Sequence, residues 1–479
     1  MRLPRAAWVC AAVALLNAAC WSLVTPPLQG IDEPDHVAYV QELAETGHRP
    51  VVGAANELSE EELIVYEDLH GALIRFRPQS PAISSDAEQQ QLERDLASRF
   101  PPVGPVNAGT AATEPPLYYA LETIPYTLGS WGDLLDRLQL MRLFSGLIAA
   151  VAVLMSFLFV RETLPSAPWA WTVGGLAVAV MPLLGFVSGA VNPEVLLVAV
   201  SAALFYLLAR AFRLGLTRRL GLAIGAVSAA GFLAKLNFIG LAPGVLVGLS
   251  LLVLRAPRAS RRAALRSAAA AVLIAFTPVA LYVLIDALAV KPLLGAAAPV
   301  LQLVQGSITR EINYVWQFYL PKLPGTEGYF PGIDTARGLW FDGVIGRFGW
   351  DDVFFPGWVY DLALVPAAAL AALGFRALVL GRGALARHIP ATLTYSVMAV
   401  GLLVLVGADS YISEHSGAGG PYWQPRYLLP LIPLLAVGLA LAAQGAGARW
   451  GRVAGVWIVV LFFANDLFGQ LQTVARYYG

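Results

Sequence analysis

Charge is scarce in this chain. Of its 479 residues, 13% are Asp, Glu, Lys or Arg and 57% are hydrophobic. A soluble domain carries about 25% charged residues, so a soluble globular protein is excluded. Cysteine is scarcer still. Cys10 and Cys20 both lie in the first apolar run, and they support neither a disulfide framework nor a zinc site. No GxGxxG, P-loop, HExxH or GxSxG pattern stands in a suitable context, which disfavours nucleotide binding and serine-hydrolase chemistry. No basic groove or aromatic-interleaved patch favours nucleic acid. No internal repeat is present.

Apolar runs of about 20 residues recur instead, each long enough to cross a bilayer. The pattern predicts an all-α polytopic membrane protein of about eleven transmembrane helices. They begin near Ala6, Leu138, Trp169, Pro193, Leu220, Phe238, Ser267, Trp358, Ile389, Arg426 and Val453. The pair around Lys235 is short, so ten is the alternative count. The first run is read as an uncleaved anchor. Its basic start (Arg2, Arg5) and Cys20 also suit a cleaved signal or lipoprotein segment.

Arginines in short connections set the orientation. Arg161, Arg210, Arg213, Arg218, Arg219, Arg255, Arg258, Arg376, Arg449 and Arg452 gather on one side. Lys235, Lys291 and Lys322 fall on the other. This predicts a plasma-membrane protein with a cytoplasmic N-terminus and external loops at about 27–137, 291–357 and 407–424. The residues 1–479 are read as one transmembrane unit. The first loop is expected to carry surface helices over 34–46, closed by Gly47, and over 84–98. Its acidic runs, Glu60-Glu61-Glu62 and Glu88 to Glu93, are read as solvated helix faces.

The segment Gly30 to Tyr39 carries the chemistry. Asp32, Glu33, Asp35 and His36 stand at the lip of the first span, where acid–base or metal chemistry has use for them. The plain alternative is helix capping, with Pro34 at the first helical position and Glu33 as N-cap. On such a helix Asp35, His36 and Tyr39 share a face. Polar residues also punctuate the outer ends of other spans: Glu114 to Tyr118 and Tyr119, Asn192 and Glu194, Lys235, Arg347 to Asp351 and Asp352, and Gln424 to Arg426. One such group is ordinarily a cap or a snorkelling side chain. Several on one leaflet point to a shared pocket. Lys235 and Arg426 are the cations nearest hydrocarbon, and a guanidinium suits bidentate phosphate binding. The aromatic stretches Tyr314 to Tyr319 and Trp340 to Tyr360 read as an interfacial belt or a floor for sugar rings.

Asp32-Glu33 after the first span, followed by a surface helix, resembles the GT-C superfamily of integral-membrane glycosyltransferases. More closely, the chain resembles a bacterial family of polytopic membrane proteins of unknown function. The matching pieces are Asp32 to His36, Pro115 to Tyr119, Asn192 to Glu194, Lys235, Phe348 to Trp350 and Gln424 to Tyr427. The superfamily resemblance implies a GT-C-like fold, a polyprenyl-phosphate sugar donor, Asp32 as the acid–base carboxylate and Glu33 as its support. The chain lacks the soluble module of protein O-mannosyltransferases. It also has Asp32-x-x-Asp35 where metal-dependent oligosaccharyltransferases have Asp-x-Asp. No cofactor is therefore assigned; a divalent metal stays open but is not indicated by the spacing, and Asp351 and Asp352 stay open as a second acidic element.

The expected function is transfer of a sugar from a polyprenyl-phosphate donor to a hydroxyl of an envelope glycan, lipid or protein at the outer face, with inversion. Arg426 and Lys235 are the expected phosphate ligands, and Asp35, His36, Tyr39, Tyr118, Asn192, Glu194, Arg347, Asp351, Asp352 and Gln424 the further pocket candidates. A lipid-linked saccharide flippase, or a polysaccharide polymerase or ligase, is the alternative. The expected partners are the lipid donor, the acceptor and the bilayer, with no nucleic acid.

Overall fold

The computed structural model describes residues 3–76, 85–97, 100, 103–288, 308–330, 336–415 and 424–479. Lys291 and parts of the expected loops 291–357 and 407–424 lie outside the described residues. The expected all-helical polytopic architecture is borne out. Among the described residues, nine helices are long and apolar enough to cross a membrane. A pair bent by 56°, Pro168–Ala179 and Pro182–Ser188, brings the count to ten when taken as one broken span. The bend falls at Pro182, which lacks the N–H of an unbroken ladder and clashes with the preceding turn. The remaining expected span is the helix Arg218–Ala234. Its 17 residues reach about 25 Å, short of the ~30 Å of hydrocarbon. It is the shortest of the eleven expected spans, running from Arg218, beside the arginine-rich end of Glu194–Leu214, back to Lys235, 3.2 Å from Glu194 at the other end.

The elements that position the site are few. Helix α1 (Arg5–Val24) is the first span. Helix α2 (Glu33–Thr46) follows, closed by Gly47 at φ 72°, where the absence of a Cβ removes the penalty. Helix α3 (Glu60–Asp68) and helix α4 (Gly71–Phe76) fold back over the first loop, and α5 (Asp86–Leu96) matches the second expected surface helix. Helix α6 (Leu117–Leu128) was not expected, and it leads into the span α7 (Leu134–Thr163). Span α7 packs against both α1 and Glu194–Leu214, with Phe157, Val153, Leu197 and Leu204 buried.

The acidic run of α3 is not a solvated face. Glu62 is fully buried and closes a capping box with Ser59. Glu61 is buried against Arg137 at 3.4 Å and Gln41 at 3.3 Å. The run of α5 does meet solvent, apart from Leu92 and Leu96. The first aromatic stretch packs inward: Tyr314 and Phe318 are buried with Phe330, Tyr411 and Trp340 around them. Cys10 and Cys20 are free thiols.

Candidate active site

The turn between α1 and α2 is fixed from behind. Glu33 is fully buried, and its carboxylate takes a two-point contact from Arg142: Nε to Oε1 at 2.8 Å and Nη2 to Oε2 at 2.5 Å. The backbone N–H groups of Gly30 and Val191 donate to the same carboxylate at 3.1 and 3.0 Å. Arg142 also donates to the carbonyls of Ser22, Thr25 and Pro26 at 2.8–2.9 Å. Both members are thus saturated, as a buried pair must be. Gly30 is required here, since a Cβ would lie 2.6 Å from that of Ala190. Glu33 thus anchors the turn between α1 and α2 that carries Asp32.

Asp32 is the N-cap of α2, where the sequence suggested Glu33. Its backbone is left-handed at φ 57°, and its side chain makes no capping bond. The carboxylate turns instead to Arg426, with which it forms a salt bridge. A non-glycine residue held left-handed without a capping bond is a feature of constrained functional turns. Capping does not account for this carboxylate.

Arg426 stands at the start of the 3₁₀ turn Pro425–Leu431, and Lys235 at the break between Arg218–Ala234 and the 3₁₀ turn Leu236–Leu241. Lys235 and Gln424 have extended backbone, and each cation stands where a 3₁₀ turn opens a span, Leu236–Arg255 or Pro425–Gly445. Glu194, at the first position of its span, ties the two together. Its Oε1 lies 3.2 Å from Lys235 Nζ and 3.7 Å from Arg426 Nε. Glu114 reaches Lys235 Nζ at 2.9 Å. Asn192 holds the junction, donating to the carbonyl of Ile31 at 3.2 Å and accepting from the N–H of Glu194 at 3.0 Å.

His36 lies beside this cluster and is buried. Burial first, then the Lys235 ammonium, push it down to about 3, against the pull of Asp32 and Glu194. It is a neutral imidazole near neutral pH, and its Nδ1 shares a 3.0 Å hydrogen bond with the Tyr119 hydroxyl. Tyr39 stacks on Tyr119 at 3.7 Å. Burial raises the Asp32 carboxyl, but the charges of Arg426 and Lys235 and the Arg426 hydrogen bond outweigh it and hold it below its ordinary value. Asp35 moves the other way, raised by burial and by Asp32, while Thr110 donates to it at 3.2 Å.

The structure thus brings Asp32, Asp35, His36, Tyr39, Asn192, Glu194, Lys235 and Arg426 together. Tyr118 points to Ser145 at 2.7 Å, behind the cluster. Gln424 lies two residues before Arg426, and its Oε1 is buried without a hydrogen bond among the described residues. Arg347 sits in the short hairpin Arg347–Phe348 and Val353–Phe354, over the ring of Phe354. Asp351 is exposed, within the fields of Arg347 and Arg426. Asp352 is turned away: it accepts from the Trp350 N–H at 2.9 Å and pairs with Arg476 at 3.1 Å. Arg142 and the role of Glu114 were not read from the sequence. Among the described residues no group of three or more His, Cys, Asp or Glu converges as metal ligands. The acids around Asp32 meet cations instead, so these residues do not fit a divalent ion.

Residues 15–435 match the family model described as "Predicted membrane protein (DUF2142)". The chain belongs to this family. That agrees with the bacterial family resemblance read from the motifs. No curated protein matches this member of the family. Among solved structures it is similar to ArnT from Cupriavidus metallidurans in the apo state, with 15% identity, a TM-score of 0.48, and 98% of this chain and 73% of that chain covered. It is also similar to the Archaeoglobus fulgidus oligosaccharyltransferase tethered with an acceptor peptide (11% identity, TM-score 0.47, covering 99% and 55%). A third is the archaeal oligosaccharyltransferase AglB from Archaeoglobus fulgidus with an inhibitory peptide and a dolichol-phosphate (14% identity, TM-score 0.43, covering 98% and 56%). The chain spans just over half the length of the archaeal protein.

Proposed function

We propose that this protein transfers a sugar from a polyprenyl-phosphate donor to an acceptor hydroxyl at the outer face of the plasma membrane. One observation carries the reading: a partly exposed carboxylate, Asp32, lies beside two buried cations, Arg426 and Lys235, at the ends of membrane-spanning helices. A lipid-linked phosphate has its tail in hydrocarbon and its charge at the interface. Two cations at the openings of spans suit that charge, and Arg426 adds a planar donor fork.

The reaction assigned to the site is an in-line displacement. The acceptor oxygen attacks the anomeric carbon, the bond from that carbon to the phosphate oxygen breaks, and the configuration inverts. The hydroxyl proton passes to Asp32. Polyprenyl phosphate leaves with the bonding electron pair, its new charge facing Arg426 and Lys235. Fixed cations at developing charge are typically the largest catalytic term. Glu33 and Arg142 hold the turn that presents Asp32.

The outer-face assignment has its own support. Arg210 and Arg213 lie at the far end of Glu194–Leu214, about 30 Å from Glu194, where Arg213 meets Glu162 at 2.6 Å. The arginine-rich end and the site end are therefore opposite ends of one span, and the positive-inside rule turns the site outward.

Purified protein offered a panel of radiolabelled polyprenyl-phosphate sugars with membrane-lipid and glycan acceptors should release polyprenyl phosphate and label an acceptor. Release of none, in preparations that bind the lipid phosphate, would argue for transport instead.

A further inference from the structure

The cluster holds more carboxylates than cations. Asp32, Glu114 and Glu194 surround Lys235 and Arg426. The three acids are not equivalent. The Glu194 side chain is 1% exposed and lies behind both cations, which are themselves 8% and 4% exposed. Asp32 and Glu114 are 20% and 19% exposed, so they stand on the open side. Each engages one cation there: Asp32 takes Arg426 and Glu114 takes Lys235. Glu114 meets Lys235 through one oxygen, and among the described residues its Oε2 has no hydrogen bond. Glu33, with its four donors, shows what a carboxylate fixed for structure looks like in the same turn.

We propose that Glu114 and Asp32 are stand-ins for the donor phosphate, each filling the anion position of one cation until the phosphate displaces them. Glu194 stays as the inner counter-ion. This rests on the reading of Lys235 and Arg426 as the phosphate's ligands. It adds a role for Glu114, a residue outside the reacting pair. Displacement frees Asp32 from Arg426 as the phosphate arrives, so the base becomes available only with the donor in place. It also gives the departing lipid phosphate one carboxylate, Glu114, that competes to replace it at Lys235, and a second at Arg426 once Asp32 has released its proton.

The sign of one substitution decides the matter. If Glu114 competes with phosphate, removing its charge tightens phosphate binding. If Glu114 serves to hold Lys235 in position, removing it weakens binding. The full chain in detergent micelles is titrated with farnesyl phosphate, a short polyprenyl monophosphate, by calorimetry. Glu114→Gln should bind roughly three- to tenfold more tightly than wild type, with the gain shrinking as salt rises. Asp32→Asn should shift in the same direction, and serves if Glu114→Gln does not fold. Equal or weaker binding in both variants overturns the proposal while leaving the phosphate site in place. Lys235→Met should bind more weakly; unchanged binding there removes the phosphate reading and the proposal with it. Inorganic phosphate should repeat the gain. A gain with inorganic phosphate and none with farnesyl phosphate assigns the position to a free anion and overturns the donor assignment.

Discussion

Asp32 and Arg426 lie 394 residues apart in the chain and form a salt bridge where the first and the second-to-last crossings end. The pair links the turn before α2 to the 3₁₀ turn Pro425–Leu431. An arginine at a carboxylate lowers its basicity, so the resting state is a poor base. The same arginine is the group best suited to a phosphate. On the proposed reading, moving it from one anion to the other would link donor binding to base activation.

Orientation is the first consequence. Cysteines introduced by Asn56→Cys and Ala259→Cys replace exposed residues on opposite sides of the proposed membrane. Asn56→Cys should react with a membrane-impermeant thiol reagent in intact cells, and Ala259→Cys should react only after lysis. The reverse pattern would place the site in the cytoplasm.

The crossings were legible because a long apolar run in a charge-poor chain has few alternatives to the bilayer. The helix 33–46 was legible from Pro34 and Gly47. The gathering of Asp32, Glu194, Lys235 and Arg426 was foreshadowed by their common place at outer span ends. Their pairing was not, because it is made by tertiary packing. Arg142 escaped notice inside an otherwise apolar run, although a charge there signals a buried partner. Glu61 and Glu62 were misread because an acidic run looks the same whether solvated or tucked under a helix. The Ser59-x-x-Glu62 spacing was the available signal.

The Glu33–Arg142 anchor predicts a large stability effect. Arg142→Met leaves Glu33 buried without its partner, which costs roughly 3–5 kcal/mol. Adding Glu33→Gln should not restore the loss, because the carbonyls of Ser22, Thr25 and Pro26 still lack their donor. Unfolding midpoints of the single and double variants in detergent check both statements. A midpoint equal to wild type in Arg142→Met would show that the pair carries no stability.

Two groups shift stability with pH in opposite senses. His36 is neutral in the folded protein down to about 3, whereas an unfolded histidine titrates near 6.5. The unfolded chain therefore binds the extra proton below about 6.5, and stability is lost as pH falls. Burial pushes Glu62 up to about 8, so there the folded state holds the proton. Its contribution is present below the ordinary glutamate value and is lost as pH rises through about 8. His36→Asn should gain on wild type as pH drops from 6.5 toward 4.5. Glu62→Gln, which keeps the capping box, should gain as pH rises toward 8. Thermal midpoints across pH for the three proteins measure these differences; parallel curves would contradict the burial of both groups.

The most direct test is transfer by Asp32→Asn. Asparagine is close in shape and tolerates the left-handed turn, but its amide cannot take the acceptor's proton at neutral pH. Transfer from a polyprenyl-phosphate sugar should fall by roughly 10²–10⁴-fold, while farnesyl phosphate still binds. Transfer by Asp32→Asn at the wild-type rate would contradict Asp32 as the base and, with it, the account of the site.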